Sequence, residues 1–504
     1  MFSMKILLIW PPWYRLQGSE FVGYPLGITS ITAVLEKHGY DTKVYHADYE
    51  GKGAAMHTSE LTQAYETYKK RLKDKNDPIW LEIKKTIEQQ NPDIVGISVM
   101  TGSYGSSMIT AQLVKDYARA RNKQIPVIVG GAHPTVEAES ILKQENIDFA
   151  VIGEGEYTFL ELVQTLEAGN TDYSKIKGLA YKQGKRIIVN ERRPLIENLD
   201  ELPMPARHLI LNIDKIEPDA LGGIFSSRGC PFNCIFCSSK TIWGRSVRYR
   251  SVDNVMQEVE HVIDKYKAKH FFFVDDSFSV KKQRTLDLCN RFQALQKQGK
   301  DFTWHCQTRV DLLSDEVAKA FADSKCNCVL IGVETGYKDG LEKIKKAITL
   351  EQIMRATQLL KKHKIPVNAF FMIGFPWETM DEINSTINFM KEMDPDDASY
   401  AIVTPQPGTE LHDIVKAEGL LSDDPDWSAF QHQSPDMFFS NKFNKQERQN
   451  IIEMAEAAFD AQKHKKLKQQ ALHNPLSTVK RVFKSGYYKR PKELLKLGKK
   501  ALKS

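Results

Sequence analysis

What most restricts this chain is a regular alternation: short apolar runs of β type are separated, again and again, by segments with the 3.6-residue periodicity of helices. A first series comprises KILLIW (5–10), TKVYHA (42–47), PDIVGISVMT (92–101), PVIVGG (126–131) and FAVIGEGE (149–156). The intervening stretches read as helices over 26–38, 106–121, 136–144 and 158–167, with a charged helical excursion at 51–90. Strand and helix at this pitch predict a doubly wound parallel sheet, whose ligands bind beyond the carboxyl ends of the strands. A second series predicts six βα units, an incomplete barrel whose strand ends build one site: IFSSR (224–228), HFFFVDD (270–276), FTWHCQTRVD (302–311), CVLIGVET (328–335), VNAFFMIGFP (367–376) and SYAIVTPQP (399–407). The fold class is therefore α/β, a sheet followed by a partial barrel and a helical carboxyl-terminal extension. The expected divisions are 1–170 for the sheet, 171–222 for a linker with a small hairpin, 223–415 for the barrel, 416–462 for a segment covering its mouth, and 463–504 for a tail.

All seven cysteines (230, 234, 237, 289, 306, 326 and 328) fall within one hundred-residue stretch. An odd, clustered set is no disulfide framework; it indicates a reducing compartment and one thiolate-bound site. Three of them, Cys230, Cys234 and Cys237, form a C-x3-C-x2-C array on the loop after the first barrel strand. Three thiolates on one short loop suit three irons of a [4Fe–4S] cube, leaving the fourth iron open to an amine and a carboxylate. A structural zinc site wants four closed ligands, and no second cysteine pair has suitable spacing. Cys289 and Cys306 read as core, and Cys326 and Cys328 are expected on opposite sides of one strand. Polar residues recur at the barrel strand ends: Asp275 and Asp276, Gln307 and Arg309, Glu334 and Thr335, with Gly374.

The charge of +6 is unevenly spread. From Lys463 to Lys503 there are 14 Lys/Arg against one acid, Glu493, so residues 1–462 carry −7. An acidic body argues against a nucleic-acid enzyme. After Pro475, apolar residues interleave with basic ones, a pattern that suits a solvated basic end or else a segment that lies on anionic membrane. Mean hydropathy is −0.41, and no apolar run nears the ~20 residues of a bilayer span. The start shows no cleavage site, which predicts a cytoplasmic protein, with peripheral membrane contact through the tail as the open alternative.

The cysteine array after a strand, followed by FVDDSF, GVETG, GFPWET and TPQPGTEL, resembles the radical S-adenosylmethionine (SAM) superfamily. Preceded by a sheet bearing Ser98-Val99-Met100, Gly130-Gly131 and GEGE, it is similar to the cobalamin-binding branch, which includes the anaerobic magnesium-protoporphyrin ester cyclase and many C-methyltransferases. The resemblance covers residues 4–165 and 220–415. It implies three cofactors: a [4Fe–4S] cluster on the three cysteines, SAM and cobalamin. SAM would meet Phe236, Asp275 and Asp276 near its adenine and amine, Gln307, Arg309 and Glu334 on the ribose and carboxylate side, and Gly374 and Pro376 beside the adenine. Cobalamin would meet Ser98, Gly130 and Gly131 along its nucleotide tail and the Gly153-Glu154-Gly155 loop at the corrin edge. Many cobalamin domains carry D-x-H-x-x-G after the first strand; here GYPLG (23–27) has Gly27 in the glycine place and no histidine, implying a cobalt without a lower histidine. His133 is better read as a helix-entry residue than as its substitute.

The resemblance further implies an enzyme that methylates an unactivated carbon of a small molecule or lipid. Anaerobic cyclisation or hydroxylation of a tetrapyrrole is the rival, and a non-catalytic cobalamin-binding protein is the third reading. A small electron carrier such as flavodoxin or ferredoxin would be a partner. Methylthiotransferases need three further cysteines in the first domain, and this chain has none there.

Overall fold

The computed structural model describes residues 4–19, 21–49, 61–430 and 437–473. Its first sheet contains β1 (Lys5–Trp10), β2 (Asp41–His46), β3 (Ile94–Ser98), β4 (Val127–Gly130), β5 (Phe149–Val151), β6 (Leu179–Gln183) and β7 (Arg186–Val189) in the order β2-β1-β3-β4-β5-β6-β7. The first five are parallel, and the hairpin expected in the linker instead adds β6 and β7 antiparallel at the edge. Continuous apolar runs fit strands buried on both faces. Leu7 and Ile9 pack with helices Pro78–Gln90 and Tyr104–Ala120, while Ile6 and Leu8 pack with helices Leu26–Lys37 and Gly155–Glu167.

Two local expectations shift. The helix expected at 136–144 is two short ones, Ala132–Val136 and Ala138–Leu142, broken at Glu137. FAVIGEGE leaves the sheet at Val151; Gly153 takes a φ of 78°, and the next helix begins at Gly155. The charged excursion contains helices Leu61–Lys73 and Pro78–Gln90, the latter started by Pro78 and by the Asp77 carboxylate, which accepts from Ile79 N.

The second sheet contains β8 (Gly223–Ile224), with the short ribbon β9 (Ser227–Arg228) and β10 (Arg248–Tyr249) beside it, then β11 (His270–Phe273), β12 (Thr303–Thr308), β13 (Cys326–Glu334), β14 (Val367–Ile373) and β15 (Asp397–Ile402). Six parallel strands run in the order β15-β14-β13-β12-β11-β8, the incomplete barrel read from the sequence. The expected strand IFSSR is cut in two because the Asp275 carboxylate takes both the backbone N–H and the hydroxyl of Ser226, which releases β9 to pair with β10. Outside the barrel, helices open on side-chain caps: Ser251 for Asn254 N, Ser314 for Val317 N and Thr349 for Gln352 N.

The carboxyl-terminal region, expected to cover the barrel mouth, packs on the barrel edge and on the first sheet. Helix Lys445–His473 packs on the outer face of the barrel edge, where Phe459 lies 5.4 Å from the Phe371 ring and 5.0 Å from Tyr400. Ahead of it, Phe438 joins the barrel core while Trp427 packs on Tyr104 and His133 of the first sheet. The basic stretch from Pro475 lies outside the described residues. Among the described residues no helix is long and apolar enough to cross a membrane.

Candidate functional site

Parallel pairing brings the carboxyl ends of β1, β3, β4 and β5 to one edge, with Ser98 and Gly130 as direct register partners. Gly131 follows at φ 113°, and a Cβ there would lie 2.8 Å from the Val99 carbonyl oxygen. Only glycine suits this turn, because the left-handed conformation and the close backbone approach coincide. Gly131→Val should therefore displace the β3 and β4 turns together, costing about 1–3 kcal/mol of backbone strain. The expected result is loss of bound cobalt per chain with iron content retained, read by metal analysis after reconstitution. Gly130 and Gly155 are packed against Val151 and Ile31, respectively, whereas Gly27 sits in the first helical turn with open space around it.

The same edge exposes two apolar side chains the sequence reading passed over, Val22 at 66% and Met100 at 45%. The loop carrying Val22 is anchored by Asp48, whose carboxylate accepts from Trp13 N and Arg15 N at 2.8 and 2.9 Å. Burial raises that carboxyl to about 7. No histidine stands in this loop; His46 reaches the Gly23 carbonyl from the end of β2. His133 is fully buried between Tyr104 and Trp427, its Nδ1 3.3 Å from the Thr101 hydroxyl, and burial lowers its pKa to about 3. It is a neutral core imidazole.

Glu154 departs from its expected place at a corrin edge. Its carboxylate is buried and already engaged: Arg228 Nη1 at 2.6 Å, Arg248 Nη1 at 2.8 Å and Ile196 N at 2.7 Å. Glu156 takes the other nitrogen of the same fork, Arg228 Nη2, at 2.6 Å. Arg228 and Arg248 are register partners in the β9–β10 ribbon and both lie over Trp243. The GEGE turn thus fastens the first sheet to the residue two places before Cys230. Gly408, from the loop after β15, also abuts Val136 of the first sheet's helical layer, so the strand-end edges of the two sheets confront each other.

On the barrel side, Cys230 and Cys234 are half-buried and Cys237 is exposed. Burial raises the thiols of Cys230 and Cys234, while Lys346 and Arg309 pull Cys234 back down. Among the described residues no three His, Cys, Asp or Glu side chains converge on a single point as ligands of one ion would. Thiolates that each serve a different iron have no such point to share. The other cysteines are remote from this loop's chemistry: Cys289 and Cys306 are fully buried, and Cys326 packs with them. Regular alternation would put Cys326 and Cys328 on one face. A register shift opposite Trp304 and His305 leaves Asn327 extra and turns Cys328 inward instead.

The expected SAM-side residues gather at the strand ends but differ in availability. Asp275 is fully buried, held by Ser226 and by the Ser227 hydroxyl at 2.7 Å, so its side chain is structural; its carbonyl accepts from Gln307 Nε2 at 2.9 Å. Asp276 is exposed and accepts from Ser239 at 2.9 Å. Arg309 forks onto Asp311, donates to the Lys346 carbonyl at 2.8 Å, and stacks over Phe232 at 3.6 Å. Glu334, at φ 69°, pairs with Lys346 Nζ at 2.6 Å, and both are buried. Lys346, which also lies 6.0 Å from the Phe236 ring, was missed because nothing in the sequence ties it to Glu334.

Glu378 was also missed. Its carboxylate accepts from Gly374 N at 2.7 Å and Phe375 N at 3.0 Å, fixing the Gly374–Pro376 turn, which Phe438 covers and Ser440 bonds through the Pro376 carbonyl. Burial raises Glu378 from 4.5 to about 7. The fold prefers its protonated form, so this stability is complete below about 4.5 and is lost as pH rises through about 7. Glu378→Gln should flatten the dependence of the thermal midpoint between about pH 5 and about pH 8, measured by scanning fluorimetry.

Comparison with known proteins agrees with this architecture. The Radical SAM superfamily model matches residues 224–390, and the B12 binding domain model matches 16–163. An uncharacterized methyltransferase of Pyrococcus horikoshii is 35% identical over 425 residues, covering 83% of this chain and 84% of that protein. The anaerobic magnesium-protoporphyrin IX monomethyl ester cyclase of Rubrivivax gelatinosus is 28% identical over 432 residues, covering 81% and 69%. In fold, the radical SAM methyltransferase TsrM of Kitasatospora setae, solved with cobalamin and a [4Fe–4S] cluster, superposes with a TM-score of 0.68 at 15% identity, covering 90% of this chain and 91% of that one. The chain belongs to the cobalamin-binding branch of the radical SAM enzymes, whose cofactors are a [4Fe–4S] cluster, SAM and cobalamin.

Proposed function

We propose that this enzyme transfers a methyl group to an unactivated carbon of a small molecule. The observation that carries the reading is the buried Glu154, Glu156, Arg228 and Arg248 set, which holds the strand-end edge of the first sheet against the loop bearing Cys230, Cys234 and Cys237. A cobalamin edge locked onto a cysteine loop suits a reaction that uses both at one carbon, and cyclisation adds no carbon. When bound, the cluster and SAM supply a 5′-deoxyadenosyl radical for hydrogen abstraction, and cobalamin supplies the methyl group.

In this reading Cys230, Cys234 and Cys237 hold the cluster, and the cations Arg309 and Lys346 beside Cys234 favour its thiolate form. The Asp275 carbonyl, Asp276, Gln307, Arg309 and the Gly374–Pro376 turn orient SAM. Glu378 fixes that turn, and Phe438 closes it against water. Ser98, Gly130, Gly131 and Gly153, on the strand-end edge, would line the cobalamin tail, and exposed Val22 and Met100 offer an apolar bed to the macrocycle. The exposed Cys237 side of the loop is the open approach for a small electron carrier such as flavodoxin or ferredoxin.

The test is isotopic. Incubated with methyl-labelled SAM and a candidate acceptor, the reconstituted enzyme should give labelled product together with S-adenosylhomocysteine and 5′-deoxyadenosine in equal amounts, measured by mass spectrometry. Product that accompanies 5′-deoxyadenosine without gaining the label assigns cyclisation or hydroxylation instead.

A further inference from the structure

We propose that the molecule methylated here is uncharged and largely hydrocarbon, and that it lies inside the half-open barrel against the inward face of β13 and β14. This rests on reading the barrel interior as the place where substrate meets SAM. Parallel sheets are ordinarily covered on both faces. The outward face of this one is: Val329, Ile331, Ala369 and Phe371 are buried beneath the helical layer. The inward face is not. Phe370 is 37% exposed in the middle of β14, and Leu330, Met372 and Phe272 are only half-buried.

Strand register gives that exposed surface a shape. Phe370 pairs with Gly332 on one side and Ser399 on the other, so its ring rises between two positions with little or no side chain. The recess runs toward the cysteine loop, because a Cβ on Gly332 would meet the Glu334 carboxylate and, at 2.8 Å, Lys346 Nζ. An apolar body laid in this recess removes Phe370 and Leu330 from water, the source of its affinity.

The charge pattern selects against anionic substrates. β11, β12 and β14 contain no Lys, Arg, Asp or Glu, β13 contains only its terminal Glu334, which Lys346 already neutralises, and β15 contains only Asp397, an acid at its first residue. His305, stacked on Phe272 at 4.4 Å, is held neutral by burial. A phosphate or carboxylate placed among these strands would lose water and gain no counterion. Asn368 offers a polar handle: its side-chain oxygen, on the strand position paired with Leu330, is buried with no hydrogen-bond partner. It calls for a hydroxyl or N–H on the substrate.

The test uses the full chain reconstituted with cluster and cobalamin, and needs no turnover. The neutral fluorophore N-phenyl-1-naphthylamine should bind saturably. Farnesol should displace it, while farnesyl diphosphate, the same hydrocarbon with charge added, should need at least about tenfold more. Phe370→Asp should weaken probe binding by about tenfold or more, and Phe370→Leu should retain it within about threefold, both with iron and cobalt contents unchanged. If Phe370→Asp fails to load its cofactors, Leu330→Asn takes its place with the same expectation. Equal competition by the diphosphate, or probe binding indifferent to these substitutions, overturns the proposal. Because binding is read without methyl transfer, its failure leaves the isotopic test untouched, and a missing label leaves this result standing.

Discussion

Replacing Cys230, Cys234 or Cys237 by alanine abolishes SAM cleavage, with no 5′-deoxyadenosine above background and a loss of iron and of cluster absorbance. A cube held by three thiolates has no spare thiolate, so one deletion uncovers an iron that the core cysteines do not replace: Cys289 and Cys306 are fully buried and Cys326 lies with them. Cys289→Ala is the control. Burial pushes that thiol up to about 12, which makes it a small apolar filler, and its loss should leave iron content and cleavage unchanged at a modest cost in stability. A loop variant that keeps full iron and cleaves normally overturns the cluster assignment.

Arg228→Met is the most damaging substitution expected away from the cysteines. It strands Glu156 as a buried carboxylate without its arginine and leaves Glu154 with Arg248 and the Ile196 N–H, and breaking a buried pair by removing one partner costs about 3–5 kcal/mol. Arg228→Lys keeps the charge but cannot fork onto two carboxylates, so it should fall between parent and Met. Beyond a lowered unfolding midpoint, a loosened edge should uncouple the two halves of the reaction. In the surviving Lys variant 5′-deoxyadenosine should exceed methylated product, where the parent gives equal amounts. A Lys variant less stable than the parent but with that ratio unchanged would make the set a structural tie alone.

Legible in the residues alone were the parallel strands of both sheets, the six-stranded partial barrel and the cysteine loop. These are consequences of local pattern: apolar runs of strand length, helical periodicity between them, and three thiols within eight residues. The sequence also drew together the strand-end residues Gln307, Arg309, Glu334 and Gly374, because parallel strands must deliver their carboxyl ends to one edge. What each side chain does there was decided only by tertiary structure. Asp275 and Glu154 look like ligands in the sequence, yet Ser226, Ser227, Arg228 and Arg248 consume their carboxylates. Lys346 and Glu378 look like ordinary surface charges, yet both are buried against the site. The opposite placement of Cys326 and Cys328 hangs on one extra residue in a ladder. A buried charge takes its meaning from partners tens of residues away, because only in the folded core does an unpaired one cost several kcal/mol, and sequence spacing carries no record of those distances.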